Sequence, residues 1–236
     1  MRVRVKIRRF NPEKDRKPYW ATYTVDAEPL DRVLDVLVQI KSYQDGTLTF
    51  RRSCAHGVCG SDAMLINGRN RLACKELVKD TGRHITVEAI RGLPVIKDLV
   101  VDRSAFDRII QAGGYVSVNT GNAPEANALP VPPHLAEKAM DAAACIGCGA
   151  CVAACPNASA MLFVSAKISQ LALLPQGRPE ADRRALSMVR AMDACGFGNC
   201  SNHRECENAC PKEIAIVNIA RLNREFLHAG FVSHEM

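Results

Sequence analysis

With 236 residues, the chain has room for two small domains or one of generous size, and its 47% hydrophobic content excludes wholesale disorder. The net charge of +6 is uneven: residues 1–110 hold 21 Lys and Arg against 14 Asp and Glu, the remainder 10 against 11. Aromatics are only 5%, and the basic excess is spread over an alternating strand and separate loops, so a nucleic-acid platform is excluded and a solvated or partner-facing surface is expected.

The chain opens on Met1-Arg2-Val3-Arg4-Val5-Lys6-Ile7, which alternates like a strand and has no apolar signal core. It has no run of 18 apolar residues, so a spanning helix is not expected and an intracellular protein is. Residues 3–7 and 21–26 form a β-hairpin around the polar Asn11–Pro18 turn. Val33, Leu34, Leu37, Val38 and Ile40 recur at helical spacing between Asp31 and Tyr43. Short strands are expected at Leu48–Phe50, Ala63–Ile66 and Ile85–Ile90, with Asn67-Gly68 a tight-turn signal. Together these make a β-rich domain over 1–104. Residues 113–134, rich in Gly, Asn and Pro, read as a linker, and helical patterns follow at 135–144, 157–174, 179–194 and 213–228. The fold class is α+β, with an all-α second domain over 105–236.

Eleven cysteines dominate the chemistry, and their odd number and tight spacing argue for metal over disulfides. Cys54-Ala-His-Gly-Val-Cys59-Gly-Ser-Asp62, followed by Cys74, fits the loop that holds a 2Fe–2S cluster in plant-type ferredoxins, with Asp62 at the third cysteine's place. Asp62 reads as a ligand or as a neighbour of the cluster. Cys145-Ile-Gly-Cys148-Gly-Ala-Cys151-Val-Ala-Ala-Cys155-Pro156 is the bacterial ferredoxin run, whose fourth cysteine serves the other cluster in two-cluster proteins. A second run, Cys200-Ser-Asn-His203-Arg-Glu-Cys206-Glu-Asn-Ala-Cys210-Pro211, has His203 where a cysteine would stand. Crossing over both fourth cysteines assigns Cys145, Cys148, Cys151 and Cys210 to a 4Fe–4S cluster. Cys155, Cys200 and Cys206 remain for a 3Fe–4S cluster. His203 either binds a fourth iron or turns away as a hydrogen-bond donor or proton relay. Cys195 is left over, as a small buried apolar residue. His56 and His84 have no partner set and read as structural or exposed.

These three groups, with the stretches Arg51-Arg52-Ser53-Cys54 and Asn67-Gly68-Arg69-Asn70-Arg71-Leu72-Ala73-Cys74, resemble the iron–sulfur subunit of succinate dehydrogenases and fumarate reductases. The resemblance implies a β-grasp, plant-type ferredoxin-like domain followed by a bacterial-ferredoxin-like helical one. It also implies an FAD-containing flavoprotein partner, a membrane anchor and a quinone. Electrons from succinate would pass through 2Fe–2S, 4Fe–4S and 3Fe–4S, with the complex peripheral on the cytoplasmic face of the membrane. Two places depart from the pattern of some ubiquinone-using members. No tryptophans follow Pro156, where the chain reads Asn157-Ala158, and Ser201 stands where a His is common after the residue matching Cys200. Pro156 and His203 are then the remaining candidates for quinone contact. A quinol:fumarate reductase subunit, a free ferredoxin-type carrier and a zinc-stabilised module are the alternatives. The apolar segment Ala158–Leu174 reads equally as a core helix or a partner-facing one.

Overall fold

The structure is a computed structural model and describes residues 1–117, 129–175 and 177–233. The first elements in chain order are β1 (Arg2–Arg9), β2 (Tyr19–Asp26), α1 (Val33–Tyr43), β3 (Ala63–Ile66), β4 (Arg69–Leu72), α2 (Val78–Thr81), β5 (His84–Ala89), β6 (Val95–Lys97) and β7 (Val100–Val101). Helices α3 (Ser104–Gln111), α4 (Pro133–Ala143), α5 (Ala150–Ala154), α6 (Met161–Ala172), α7 (Arg178–Ala194), α8 (Glu205–Asn208) and α9 (Val217–Ser233) follow. The chain packs as two compact units: Met1–Arg103 with Ile146–Ala154, and Ser104–Cys145 with Cys155–Met236.

In the first unit the alternation of β1 decides the sheet. Val3, Val5 and Ile7 are fully buried, each stabilising the fold by about 1.5–3 kcal/mol, while Arg2, Arg4, Lys6 and Arg8 face outward. The strand order is β2-β1-β5-β3-β4, with β1 and β5 parallel and the other pairs antiparallel. Helix α1 adds Val33, Leu34, Val36, Leu37 and Ile40 to the same core. A helix laid on a mixed sheet whose central strands run parallel is the β-grasp arrangement expected. On the outer side the Lys6 ammonium lies 4.9 Å from the centroid of the Trp20 ring, and Arg8 pairs with Glu88 at 3.0 Å.

Arg9 ends β1 on its buried side and carries a charge into the core. Its guanidinium donates to Asp98 at 2.9 and 3.2 Å, to Thr47 at 3.0 Å and to Tyr23 at 2.6 Å, and it pairs with Asp45. Burial alone would lower its pKa; the hydrogen bonds it donates to the Asp98 and Asp45 carboxylates outweigh that and raise it. Asp98 also accepts the amides of Phe10 and Thr49 at 3.0 and 2.9 Å. This explains why the expected strand at Leu48–Phe50 is absent. The backbone there is spent on Asp98, on Asp45 and on the Leu99 amide rather than on a ladder. By contrast Asn67-Gly68 forms the expected two-residue turn, both residues at positive φ of 48° and 77°, joining β3 to a strand, β4, that the sequence pattern did not show.

The second unit is built on α6. Leu162, Phe163, Val164, Ser165, Ala166, Ile168, Ser169 and Leu171 are all buried, against α4, α7 and α9. The apolar segment is therefore a core helix, and its composition needs no partner surface to explain it. The buried hydroxyls of Ser165 and Ser169 donate to the Leu162 and Asn218 carbonyls. On α7, Arg184 is buried and pairs with Glu180, and it donates to the carbonyls of Gly113 at 2.8 Å and Tyr115 at 3.0 Å. The start of the expected linker is thus pinned to a helix, its end at Pro133 opens α4, and residues 118–128 lie outside the described ones. Cys195 is only partly buried, a correction to the sequence reading. It caps α7 with its thiol 3.8 Å from the Ala105 carbonyl, because the helix ends there at the unit's surface.

Candidate metal centres

The loop after Phe50 carries the first donor set. Ala55 at φ 57° and Gly57 and Gly60 at 77° and 66° curl the backbone so that its amides turn inward. The amides of His56, Val58 and Cys59 approach the Cys54 sulfur at 3.5, 3.3 and 3.3 Å. These bonds, that of His56 foremost, lower the Cys54 thiol to about 6. Gly60 has no room for a side chain: a Cβ there would lie 2.9 Å from the Cβ of Cys148 and 3.0 Å from the Ile146 carbonyl. That contact seats residues 146–154 on the first unit, where Cys148 and Ala150 join its core. Arg103 holds the same two turns, donating to the Gly60 carbonyl at 3.0 Å and to that of Gly147. Nothing in the sequence pattern singled out Arg103, because these two hydrogen bonds go to backbone carbonyls.

The β3–β4 hairpin brings the other two donors together. Ala63 pairs with Leu72, so Asp62 and Cys74 flank the open end of the hairpin. Asp62 is 3% exposed; its Oδ2 accepts the Cys74 amide at 2.6 Å, while Oδ1 is buried without a hydrogen-bond partner. An orphaned buried carboxylate oxygen costs roughly 1–3 kcal/mol or more. Burial, and then the Asp62 carboxylate beside it, push the Cys74 thiol up to about 12. Three sulfurs and one unsatisfied carboxylate oxygen, ringed by inward amides, form a donor set that fits two ferric irons and leaves no orphan. His56 and His84 are both exposed.

The remaining cysteines are divided between the two units. Cys148 and Cys151 belong to the first unit, Cys145 and Cys210 to the second; the Cys210 sulfur accepts the Ile214 amide at 3.4 Å. Cys155, Cys200 and Cys206, from different runs of the sequence, line one pocket with His203, Met161, Leu162, Ile216 and Ile219. Burial and the nearby Cys155 and Cys200 raise the Cys206 thiol, against the Glu207 amide, which lowers it. The Asn202 amide reaches the Cys200 sulfur at 3.4 Å, and Glu207 accepts the Ile216 amide at 2.8 Å while pairing with Arg204 at 2.9 Å. Three thiols that would repel one another as thiolates, in a pocket also lined by Met161, Leu162, Ile216 and Ile219, fit a group whose positive charge takes them as thiolates. Pro156 and His203, the two candidate quinone contacts, are both exposed. Among the described residues, no three His, Cys, Asp or Glu side chains converge as ligands of a single metal ion do.

Residues 4–108 match the family model of a 2Fe-2S iron-sulfur cluster binding domain, and residues 144–214 that of a 4Fe-4S dicluster domain. The chain is 30% identical to the fumarate reductase iron-sulfur subunit of Haemophilus influenzae, covering 90% of this chain and 88% of that one. It is also 30% identical to the succinate dehydrogenase iron-sulfur subunit of Coxiella burnetii, over 88% and 89% of the two chains. The same fold occurs in a chain of the Mycobacterium smegmatis Sdh1 complex in the apo form, with a TM-score of 0.65 at 19% identity over 94% of each chain.

Proposed function

This chain belongs to the family of iron–sulfur subunits of succinate dehydrogenases and fumarate reductases, and from that premise we propose that it conducts electrons between a flavoprotein and a membrane quinone in a succinate:quinone oxidoreductase. When bound, the clusters would supply one-electron transfer from site to site. The chain's own part is to hold them: Cys54, Cys59, Asp62 and Cys74 for 2Fe–2S, Cys145, Cys148, Cys151 and Cys210 for 4Fe–4S, and Cys155, Cys200 and Cys206 for 3Fe–4S. The observation that carries this reading is the pocket lined by Cys155, Cys200 and Cys206, the trio that crossing over the two sequence runs leaves together. The inward amides of the first loop stabilise thiolate charge and set the potential there, as hydrogen bonds to cluster sulfurs do. The flavin and succinate sites belong to another chain. Among the described residues no helix is long and apolar enough to cross a membrane, so an anchor subunit would hold this one at the cytoplasmic face.

The same ligands would serve a quinol:fumarate reductase, and relatives of both names are 30% identical to this chain. Direction then rests on potentials, which burial and hydrogen bonding tune around each cluster. The test is to isolate the chain from its native membranes and follow its visible spectrum. The reading expects an FAD-bearing chain in the same complex and bleaching of the clusters by succinate, with turnover by succinate outrunning that by fumarate. A chain recovered alone, whose spectrum neither succinate nor a quinol alters, would overturn it.

A further inference from the structure

Residues 196–204 form no helix or strand, and Cys200 sits exposed in the middle of them. Something other than secondary structure must fix this cysteine against Cys155 and Cys206. Two contacts converge on one residue. The Asn157 side-chain Nδ2 donates to the Asn199 carbonyl at 2.9 Å and to the Ser201 hydroxyl at 2.7 Å, so it holds both chain neighbours of Cys200. Independently, the loop approaches the Asn157 backbone so closely that a Cβ on Gly198 would lie 1.9 Å from the Asn157 carbonyl oxygen. Only a glycine admits that approach. Asn157 follows Cys155 by two residues, so the amide ties one ligand loop directly to the other. A primary amide carries two N–H donors, and both are used here, though the side chain is exposed and water would satisfy them.

We propose that Asn157 is a positioning residue for the third cluster: its two N–H donors, with the Gly198 contact, hold the Cys200 loop so that the three thiols stand ready before iron arrives. The inference rests on the reading that Cys155, Cys200 and Cys206 share one cluster. Preorganisation of this kind acts through the ligand loop and leaves the first unit's site untouched.

Asn157→Asp keeps the shape and removes both donors; Gly198→Ala forces the loop away from the other side. Both are compared with the native complex by amide hydrogen exchange over 198–206, iron release to a chelator, and the paramagnetic signals of the clusters. Exchange over 198–206 should quicken about tenfold in Asn157→Asp, the effect of one to two lost hydrogen bonds. The third cluster's signal should fade while the 2Fe–2S signal stays. Native exchange and native iron release in both variants would overturn the proposal. So would joint loss of every cluster signal, since that marks general unfolding. If the native complex shows no three-iron signal but Asn157→Asp still speeds exchange over 198–206, the clamp stands and the assignment of cluster type fails.

Discussion

The two units hold sulfur in different ways. In the first, the backbone does it: three amides point at the Cys54 sulfur, and the register of the β3–β4 hairpin sets Asp62 beside Cys74. In the second, side chains hold the loops: Asn157 ties down the neighbours of Cys200, and Glu207 links the Cys206 turn to Ile216. A sheet offers fixed amides and a fixed register, so a loop hung on it inherits both. Helices satisfy their own amides and leave the connecting loops to be fastened by whatever polar side chains lie near. The difference implies that loss of a single side-chain clamp weighs more on the second site, although Arg103 and the side-chain-free Gly60 also shape the first.

The largest expected effect falls on the scaffold of the first unit. Asp98→Ala leaves the Arg9 guanidinium short of its main partner and frees the Phe10 and Thr49 amides, and should destabilise by about 3–5 kcal/mol. Chemical denaturation followed by sheet-sensitive circular dichroism measures it; a loss under 1 kcal/mol would mean that water replaces the network. In the second unit Leu222→Ala, at a fully buried position of α9, should cost about 2–5 kcal/mol without any polar component. If Leu222→Ala proved neutral, α9 would not belong to the core.

Much of this was legible beforehand for a physical reason. Strand β1, the hairpin turn at Asn67-Gly68 and the helices of the second unit announce themselves through nearest-neighbour periodicity, and cluster loops through cysteine spacing. What was missed depends on partners far along the chain. Leu48–Phe50 looks like a strand until Asp98 takes its amide, and the parallel pairing of β1 with β5 leaves no local mark. Arg103 bonds to the Gly60 and Gly147 carbonyls and Asn157 to one carbonyl and one hydroxyl more than 40 residues away, so no local pattern singles them out. Residues 158–174 were ambiguous because an all-round apolar helix looks the same whether neighbouring helices or another chain cover it.

At the sites themselves, Asp62 sharpens the contrast. Asp62→Cys should keep the 2Fe–2S cluster with an altered spectrum, since a softer donor replaces oxygen. Asp62→Ala should release iron to a chelator at least about tenfold faster. Unchanged release would make Asp62 a neighbour only.

The smallest effect is a pH dependence in the first unit. Hydrogen bonds from Thr47 first, then Tyr23, and the Arg9 guanidinium hold the Asp45 carboxyl below the usual carboxylate range. A depressed folded-state pKa stabilises the native protein above the unfolded value of about 3.9, and that contribution is lost as pH falls through the lower folded value. Asp45→Asn should therefore be less stable by about 1 kcal/mol near neutrality, with the gap closing as the pH drops below about 4. A gap that stays constant down to strong acid would refute the assignment.

The most direct test of the central claim is electron paramagnetic resonance of the native complex under stepwise reduction. The oxidised protein should show the signal of a three-iron cluster, and reduction should then reveal a 2Fe–2S and a 4Fe–4S signal. A colourless, zinc-loaded protein, or four irons at the Cys155, Cys200 and Cys206 site with His203 nitrogen on one of them, would contradict it.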